Sequence, residues 1–425
     1  MSEQSRTNRT SLWVAAAAAF SVYFCMYAFR KPFTAASYEG LQLFNNELKS
    51  ILVISQLLGY MTSKFIGIKL VSEWNRNYRA FAIIGLIVFA ELALVLFAFV
   101  PNEYKVIAMF LNGLPLGMVF GFVLSFLEGR TTTEALSAAL CASFIMSSGV
   151  VKSIGQWLIQ EKGVDEFHMP MVTGLIFLLP LLFSVWVLQK TPPPSELDIQ
   201  SRNKRSTMDK GDRWKFFNTY WPGLLSLFAV YVTLTILRTF RDDFGVEIWK
   251  GLGVSDQPSI YASSESIVSI SVTLLNAVAI FMRNNLRALR VTFIIMTMAF
   301  VILIGSTLVQ DYGRISPLLY MVLCGIGLYI PYVAFHTTVF ERIVSASNLR
   351  GNLVFLMYLA DSIGYLGYVV LLSAKPLLES STDKLGLFQN ILYSLAGFSI
   401  LCLLLATVYF QRKLSREKPG LPIET

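Results

Sequence analysis

Charged residues, histidines and catalytic motifs are all scarce in this chain, and each scarcity excludes a class of protein. Only 15% of the 425 residues are charged while 55% are hydrophobic, and the mean hydropathy is +0.58. Such a composition excludes an ordinary soluble protein. The two histidines and the absence of GxxxxGKS, GxxxxGKT, HExxH and GxSxG motifs give no sign of an ATP-driven pump, a zinc peptidase or a serine hydrolase. We therefore expect no enzymatic activity and no cofactor.

Cysteines are also few, and their positions argue against cross-links and metals. All four lie within long apolar runs: Cys25, Cys141, Cys324 and Cys402. The loops thus offer no cysteine for a disulfide, and a structural metal site is equally unsupported.

Long apolar runs are what the chain has instead. A hydrocarbon core of about 30 Å requires about 20 helical residues, and twelve runs can cross it. The first run is too long for a typical signal-peptide core, so we interpret it as a retained span. The sequence therefore predicts an all-α polytopic membrane protein with spans at Leu12–Ala36, Leu48–Val71, Ala80–Val100, Val106–Leu127, Ala135–Ile159, Met171–Leu188, Tyr220–Phe240, Ile260–Met282, Val291–Val309, Leu318–Phe340, Leu353–Leu372 and Phe388–Phe410.

One long loop divides these spans six and six. Residues 190–218 are polar and basic, contain three consecutive prolines at Pro192–Pro194, and show no apolar period, as expected of a linker. We predict a six-helix bundle at residues 1–189, a cytoplasmic linker at 190–218 and a second six-helix bundle at 219–425. This plan is that of the major facilitator fold, in which substrates bind near mid-membrane.

The formal charge of +8 is explained by topology. Lysines and arginines concentrate in alternate loops, which include the linker and both terminal segments. This positive-inside pattern predicts cytoplasmic termini, and we expect the membrane to be a bacterial inner membrane. The basic excess therefore needs no nucleic-acid partner. We expect a monomer whose partners are the lipid bilayer and a small anionic solute.

Two arginines lie inside apolar runs at corresponding points of the two halves. An offset of 208 residues carries Arg30 onto Arg238. A guanidinium at membrane depth costs about 2.5–3.5 kcal/mol on insertion scales and does not escape by losing its proton. Tyr23, Tyr27 and Arg30 follow at i, i+4 and i+7, so one helix face presents two phenols and a guanidinium. We therefore predict an anion-binding site with one arginine from each half.

Other charged residues within or beside spans have less specific interpretations. Glu91 is interpreted as structural, and Lys31 as reaching outward to the membrane interface. The run Arg241–Asp243 is interpreted as a solvated turn with local ion pairs. Either intramembrane arginine could instead form a structural pair with Glu265 or Asp361.

Several stretches of the chain resemble the organophosphate:phosphate antiporter family of the major facilitator superfamily, the bacterial carriers of glycerol-3-phosphate and hexose phosphates. They are YFCMYAFRKPF in the first span, YMTSKFIGIKLVSEWNRNYR in and after the second, and GIGLYIPYVAFHTTVFE with DSIGYLGY in the tenth and eleventh. The resemblance implies that the two arginines bind the substrate phosphate. It also implies supporting roles for Tyr23, Tyr27, Lys64 and the acidic residue Glu265.

Two departures from that family concern the substrate. The characterised phosphate carriers hold a histidine in the fifth span, whereas this chain has Ser147, Ser148 and then Lys152. The loop after the second span also lacks the usual aspartate. We predict that Lys152 replaces the histidine as an anion ligand beside the two serines. The alternative is that Lys152 reaches the membrane interface or pairs with an acid.

Together these patterns predict a secondary transporter that exchanges an organic phosphate, or another organic anion, for an inorganic anion. A bound anion between two arginines would lower the cost of closing the cavity around them. Three alternatives stay open. One is a proton-coupled importer of organic anions, with Glu265, His336 or Asp361 as the coupling or gating residue. The others are a membrane sensor that binds without turnover and, more distantly, a membrane enzyme.

Overall fold

The computed structural model describes residues 3–73, 78–127, 133–191, 210–280, 284–347, 353–374 and 383–416, together with 282 and 349. Within these ranges the chain is helical except for short connections and one small hairpin. The helices are α1 (Glu3–Arg30), α2 (Leu48–Glu73), α3 (Arg79–Phe99), α4 (Asn102–Leu127), α5 (Thr133–Gln160), α6 (Met169–Gln189), α7 (Lys210–Asp243), α8 (Gly245–Gly251), α9 (Ser259–Ile280), α10 (Asn285–Asp311), α11 (Pro317–Ala334), α12 (Phe340–Ala346), α13 (Leu353–Leu372) and α14 (Lys384–Arg416).

Three smaller elements complete this description. A 3-10 turn at Pro32–Ala35 follows α1, and a π-helical turn at Phe335–Val339 connects α11 to α12. Between α1 and α2, strand β1 (Gln42–Leu43) pairs antiparallel with strand β2 (Asn46–Glu47).

The predicted spans coincide with the helices. Eleven of the twelve predicted runs fall on α1 to α7, α9, α10, α13 and α14, and the tenth covers α11, the π-helical turn and the start of α12. Seven helical segments of the described chain are long and apolar enough to cross a membrane, and Val14–Arg30 and Leu356–Leu372 are shorter apolar segments. Large apolar side chains such as Leu179 and Leu405 are exposed, as expected of a surface that faces lipid. The prediction of an all-α polytopic membrane protein is confirmed.

Two helix boundaries differ from the predicted spans. α1 ends at Arg30, six residues before the predicted end, because Pro32 has no N–H with which to continue the helical hydrogen bonds. α7 begins at Lys210, so the stretch from 210 to 218 is helix although we assigned it to the linker. Most of the remaining linker, residues 192–209, lies outside the described residues.

The chain forms two compact units, and each contains more than one stretch of sequence. The first unit comprises Met1–Arg202, Asp242–Ser269 and Val369–Lys384, and the second comprises Asn203–Arg241, Ile270–Tyr368 and Leu385–Thr425. The last two residues of α7, all of α8 and the first half of α9 thus pack with α1 to α6. This assignment places two acidic residues of α7 among basic residues of the first unit.

Close packing of α2 on α4 shapes the core of the first unit. A Cβ atom on Gly59 would lie 2.2 Å from the Phe110 carbonyl oxygen, and one on Gly113 would lie 2.0 Å from the Gln56 carbonyl oxygen. Only glycine permits backbones to approach so closely. Beside this contact the Gln56 amide donates to the Asn112 side-chain oxygen at 2.7 Å, which joins α2 to α4 through buried polar groups.

Candidate functional site

Arg30 lies at the end of α1 among tyrosine rings. It is 6% exposed, and its guanidinium carbon lies 3.9 Å from the centre of the Tyr60 ring and 5.8 Å from that of Tyr27. Tyr23 packs edge-on against Tyr27 with ring centres 5.7 Å apart. The predicted tyrosine and arginine face of α1 is therefore a buried cluster in the first unit.

Tyr60 is a site residue that the sequence analysis missed. It lies on α2, and besides Arg30 it contacts Lys64, whose ammonium nitrogen lies 5.1 Å from the centre of its ring. The i, i+4 spacing of Tyr60 and Lys64 on one helix face was a usable signal. Tyr60 thus brings Arg30 and Lys64, two of the predicted ligands, to one aromatic ring.

Arg238 has a similar aromatic neighbour in the second unit. It is also 6% exposed, and its guanidinium carbon lies 4.2 Å from the centre of the Tyr332 ring on α11. Such cation–π contacts favour a buried cation by about 0.5–2 kcal/mol. Tyr332 was also missed, although it precedes His336 at the same i, i+4 spacing.

An acid, a phenol and an imidazole lie beside Tyr332. The Tyr231 hydroxyl on α7 donates to the Asp361 carboxylate on α13. The centre of the Tyr231 ring lies 5.7 Å from the centre of the Tyr332 ring and 6.0 Å from the centre of the His336 ring. His336 belongs to the π-helical turn, and its Nδ1 lies 3.0 Å from the Tyr332 carbonyl oxygen. π-Helical turns occur often at functional sites, because the extra residue changes the direction of the side chains.

A buried ion-pair cluster of the first unit joins the end of α7 to α5 and to the residue that follows α1. The Lys31 ammonium lies 2.7 Å from the Asp242 Oδ2 and 2.5 Å from the Asp243 Oδ1. Lys152 on α5 forms a salt bridge with the Asp242 Oδ1, to which the Ser148 hydroxyl also donates. We call Lys31, Ser148, Lys152, Asp242 and Asp243 the α7 clamp.

The α7 clamp corrects two interpretations made from the sequence. Lys31 does not reach the membrane interface, because it is 5% exposed and bound to two carboxylates. The run Arg241–Asp243 is not a solvated turn, because all three residues are buried and the two aspartates contact lysines far away in the sequence. Arg241 instead donates to the Met321 carbonyl oxygen at 2.9 Å in the second unit.

Lys152 contacts an acid in this structure. Its ammonium group meets Asp242 and lies 3.1 Å from the Ser148 hydroxyl. The Ser147 hydroxyl donates to the Phe144 carbonyl oxygen of its own helix at 3.3 Å. Glu265 on α9 packs close by, since a Cβ atom on Gly149 would lie 2.7 Å from its Cβ.

A second set of buried ion pairs surrounds Phe244, the residue between α7 and α8. Lys49 lies 2.5 Å from the Glu247 carboxylate, Lys384 lies 2.8 Å from that of Glu47, and the two ammonium groups are 5.7 Å and 5.1 Å from the Phe244 ring centre. Burial raises the pKa of the Glu247 carboxyl, and Lys49 opposes that shift. These pairs hold the hairpin and α8 to the first unit.

The described residues contain no group of three or more His, Cys, Asp or Glu side chains that could hold a metal ion. What the site residues offer is positive charge on arginine and lysine, tyrosine hydroxyls, and acids that contact cations or a phenol. This chemistry suits the recognition of an anion and the formation and breaking of ion pairs.

Comparison with solved structures identifies the fold. The chain is similar to a D-xylose–proton symporter (TM-score 0.62, 13% identity, covering 93% of this chain and 96% of that chain). It is also similar to a mutant form of the nucleoside transporter NupG (TM-score 0.59, 14% identity, 94% and 100%). A bacterial homologue of the human lysosomal transporter Spinster, solved inward-facing and unoccupied, gives a TM-score of 0.63 at 10% identity (96% and 99%). At these identities the likeness shows the fold alone, which is the major facilitator fold of an integral membrane protein.

Comparison at the level of sequence gives a family. No curated protein matches the chain. One family model does match, over residues 32–413, and its description is a family of unknown function, DUF5690. The match begins two residues after Arg30, includes Arg238 and extends into α14. The chain therefore belongs to the DUF5690 family.

Proposed function

We propose that this protein transports a small anionic solute, an organic phosphate or another organic anion, by alternating-access exchange with an inorganic anion. One observation carries the proposal. In each unit a buried arginine at a corresponding point of the chain lies over a tyrosine ring, Arg30 at 3.9 Å and Arg238 at 4.2 Å. A transported anion is the ligand that two buried guanidinium groups fit best.

The geometry of the guanidinium supports this role. A cation–π contact uses the face of the planar group, whereas hydrogen bonds to an anion use its edge, so the two are compatible. Bidentate hydrogen bonds to a phosphate or carboxylate are charge-assisted and about twice as strong as neutral ones. The tyrosine ring can therefore hold each arginine in place for the solute.

The phosphate group is the more specific part of the proposal. It follows from the resemblance to the organophosphate:phosphate antiporters, whose arginine, tyrosine and lysine positions match Arg30, Arg238, Tyr23, Tyr27 and Lys64. Lys152 would join this site only in a state in which its salt bridge with Asp242 is broken.

Exchange in proteoliposomes tests the function directly. Purified protein is reconstituted into vesicles loaded with inorganic phosphate, and uptake of labelled glycerol-3-phosphate is measured, with vesicles loaded with chloride as the control. We expect uptake that depends on internal phosphate and is lost in Arg30→Lys. Binding without any uptake would favour a sensor, and the absence of both would contradict the proposal.

Proton-coupled transport of an organic anion is the second candidate. The hydrogen bond from Tyr231 to Asp361, with His336 close by, favours it because a carboxyl and an imidazole are groups that take up protons. Uptake driven by a pH gradient in vesicles without a counter-anion would support this candidate over exchange.

We also propose that the protein is a monomer of a bacterial inner membrane with both termini in the cytoplasm. The sidedness of lysine and arginine supports this orientation. Labelling of a cysteine introduced at Ser206 by an impermeant reagent outside intact cells would contradict it.

A further inference from the structure

A buried acid of the first unit takes no part in the proposed anion site. Glu91 lies on α3 and is 6% exposed. Neither of its carboxyl oxygens has a hydrogen-bond partner among the residues that the structure describes. A carboxyl group in this position must either carry a buried, uncompensated negative charge or hold a proton.

Gly174 on α6 provides the space that this carboxyl occupies. A Cβ atom built on Gly174 would lie 2.0 Å from the Glu91 Oε2 and 2.9 Å from its carboxyl carbon. Any larger residue would displace the acid. The carboxyl group is therefore seated against the backbone of α6, where the two helices pack together.

Two buried side-chain amides in this part of the first unit already use their donors. The Asn112 amide nitrogen donates to the carbonyl oxygens of Ala90 and Phe29, at 3.0 Å and 2.9 Å. The Gln56 amide nitrogen donates to the Arg30 carbonyl oxygen and to the Asn112 side-chain oxygen, both at 2.7 Å. Each side-chain amide has two N–H donors, so neither has one left for a carboxylate.

The charged groups on neighbouring helices contact other partners. α3 packs against α1, α4 and α6. Apart from Glu91, the charged and titratable side chains that the structure describes on these four helices and at the ends of α6 are Arg79, Tyr23, Cys25, Tyr27, Arg30, Glu103, Tyr104, Lys105, His168 and Lys190. The basic residues among them contact other groups. Arg79 donates to the Ser125 carbonyl oxygen, and Lys105 donates to the Phe97 carbonyl oxygen. Arg30 lies over the Tyr60 ring, Lys190 lies over the Trp186 ring, and His168 pairs with Asp165.

A protonated carboxyl fits these surroundings and a carboxylate does not. Helix backbones use their N–H groups internally, but each carbonyl oxygen keeps a second lone pair. Such an environment can accept a hydrogen bond from an acid O–H and offers no donor to a carboxylate. Because an unpaired charge buried away from water is very costly, the group is neutral. We propose that Glu91 is a proton-binding site, occupied when α3 and α6 are packed as in this structure.

A proton is the cation that a single carboxyl group can hold without further ligands. Sodium, calcium or magnesium would need several oxygen ligands around the carboxylate. Among the described residues no cluster of three or more acidic, histidine or cysteine side chains exists to supply them. This inference rests on the packing of α3 and α6 and does not depend on the proposed anion transport.

Labelling with a hydrophobic carbodiimide tests the protonation state. The acid proton moves to one carbodiimide nitrogen, the carboxyl oxygen bonds to the central carbon, and an acyl shift to nitrogen leaves a stable adduct with no leaving group. We expect mass spectrometry of the detergent-solubilised protein to find the adduct on Glu91 at about pH 6 and less of it at about pH 9. Glu103, exposed on α4, serves as the control.

The pH dependence of unfolding gives a second and independent measurement. Above about pH 4.3 the unfolded chain releases the Glu91 proton while the folded protein keeps it, so stability falls as pH rises. Glutamine resembles the protonated acid but releases no proton, so its contribution to stability does not change with pH. We expect Glu91→Gln to unfold above the wild-type temperature, by a larger margin at about pH 9 than at about pH 6.

Each measurement also has a result that overturns the proposal. In the unfolding measurement, the proposal is contradicted if Glu91→Gln loses the same stability at both pH values, or if its difference from the wild type does not depend on pH. In the labelling measurement, it is contradicted if the extent of labelling of Glu91 does not change with pH, or if no adduct forms at about pH 6. Stabilisation of the wild type by sodium at about pH 9, absent from Glu91→Gln, would assign the site to a metal cation instead.

Discussion

The surroundings of Arg30 and Arg238 are alike in one respect and different in another. Each guanidinium lies over a tyrosine ring, that of Tyr60 in the first unit and that of Tyr332 in the second. Beyond the ring, carboxylates of the first unit bind lysines. In the second unit the nearby acid, Asp361, accepts a hydrogen bond from the Tyr231 hydroxyl.

This difference lies in the partners of the acids near each arginine, which are lysines in one case and a phenol in the other. A carboxylate between lysines stays charged over a wide range of pH, because each cation stabilises the anion. A carboxyl bonded to a phenol has a neutral partner, which can remain bonded whether or not the acid carries a proton. The lysine-bound acids of the α7 clamp are therefore suited to mechanical coupling through ion pairs, whereas a response to protons is proposed for Glu91 of the same unit and for Asp361 of the second.

The largest effect is expected from removing the charge at the centre of the α7 clamp. Asp242→Asn leaves Lys152 without its salt bridge and weakens the hold on Lys31. Breaking a buried ion pair by removing one partner costs about 3–5 kcal/mol, so thermal unfolding in detergent should shift to much lower temperature. Lys250→Met is the control, since the Lys250–Glu39 pair has side chains that are 59% and 67% exposed and such pairs contribute about 0–1 kcal/mol. Equal stability of the two variants would show that the clamp does not hold the first unit together.

A smaller effect is expected on anion affinity from altering either arginine. Arg30→Lys and Arg238→Lys keep the charge but lose the planar fork, and the loss of one charge-assisted hydrogen bond costs about 1.5–3 kcal/mol, or roughly 10- to 150-fold in affinity. Titration with inorganic phosphate, followed by thermal stability, measures the change. Arg290→Lys at an exposed position of α10 should bind as the wild type does. Near-normal affinity in both buried variants would contradict the two-arginine site.

The smallest effect is expected from Tyr231→Phe in the second unit. The change removes the hydroxyl that donates to Asp361 and keeps the ring packed against Tyr332 and His336, so about 1 kcal/mol of stability should be lost. If Asp361 takes up a proton during transport, the pH profile of uptake should also move. Tyr312→Phe, at an exposed tyrosine, is the matched control. A changed maximal rate with an unmoved pH profile would assign Tyr231 a purely structural role.

The parts of the molecule that the sequence predicted are those set by local pattern. Apolar runs gave the spans, and helical spacing brought Tyr23, Tyr27 and Arg30 to one face, because both depend only on residues close together in the chain. The same spacing would have revealed Tyr60 beside Lys64. These features needed no knowledge of how distant helices meet.

The α7 clamp and the pairs around Phe244 were beyond such reasoning. Lys31 and Asp243 are 212 residues apart, and Lys49 and Glu247 are 198 apart. No sequence pattern marks Lys49 and Lys384 as buried, yet they are 0% and 3% exposed. Whether a charged residue faces water or an opposite charge is decided by tertiary packing, which one sequence does not display.

The π-helical turn at Phe335–Val339 gives the second unit a segment that can lose one residue without a large rotation of the helix that follows. Its wider turn contains one residue more than an α-helix would need. Loss of one residue there would restore regular α-helix and leave α12 close to its present orientation. Arg342 would then still face α10, where it donates to the Asn285 side-chain oxygen at 2.8 Å. Loss of one residue from a regular helix such as α10 would instead rotate everything that follows by about 100°.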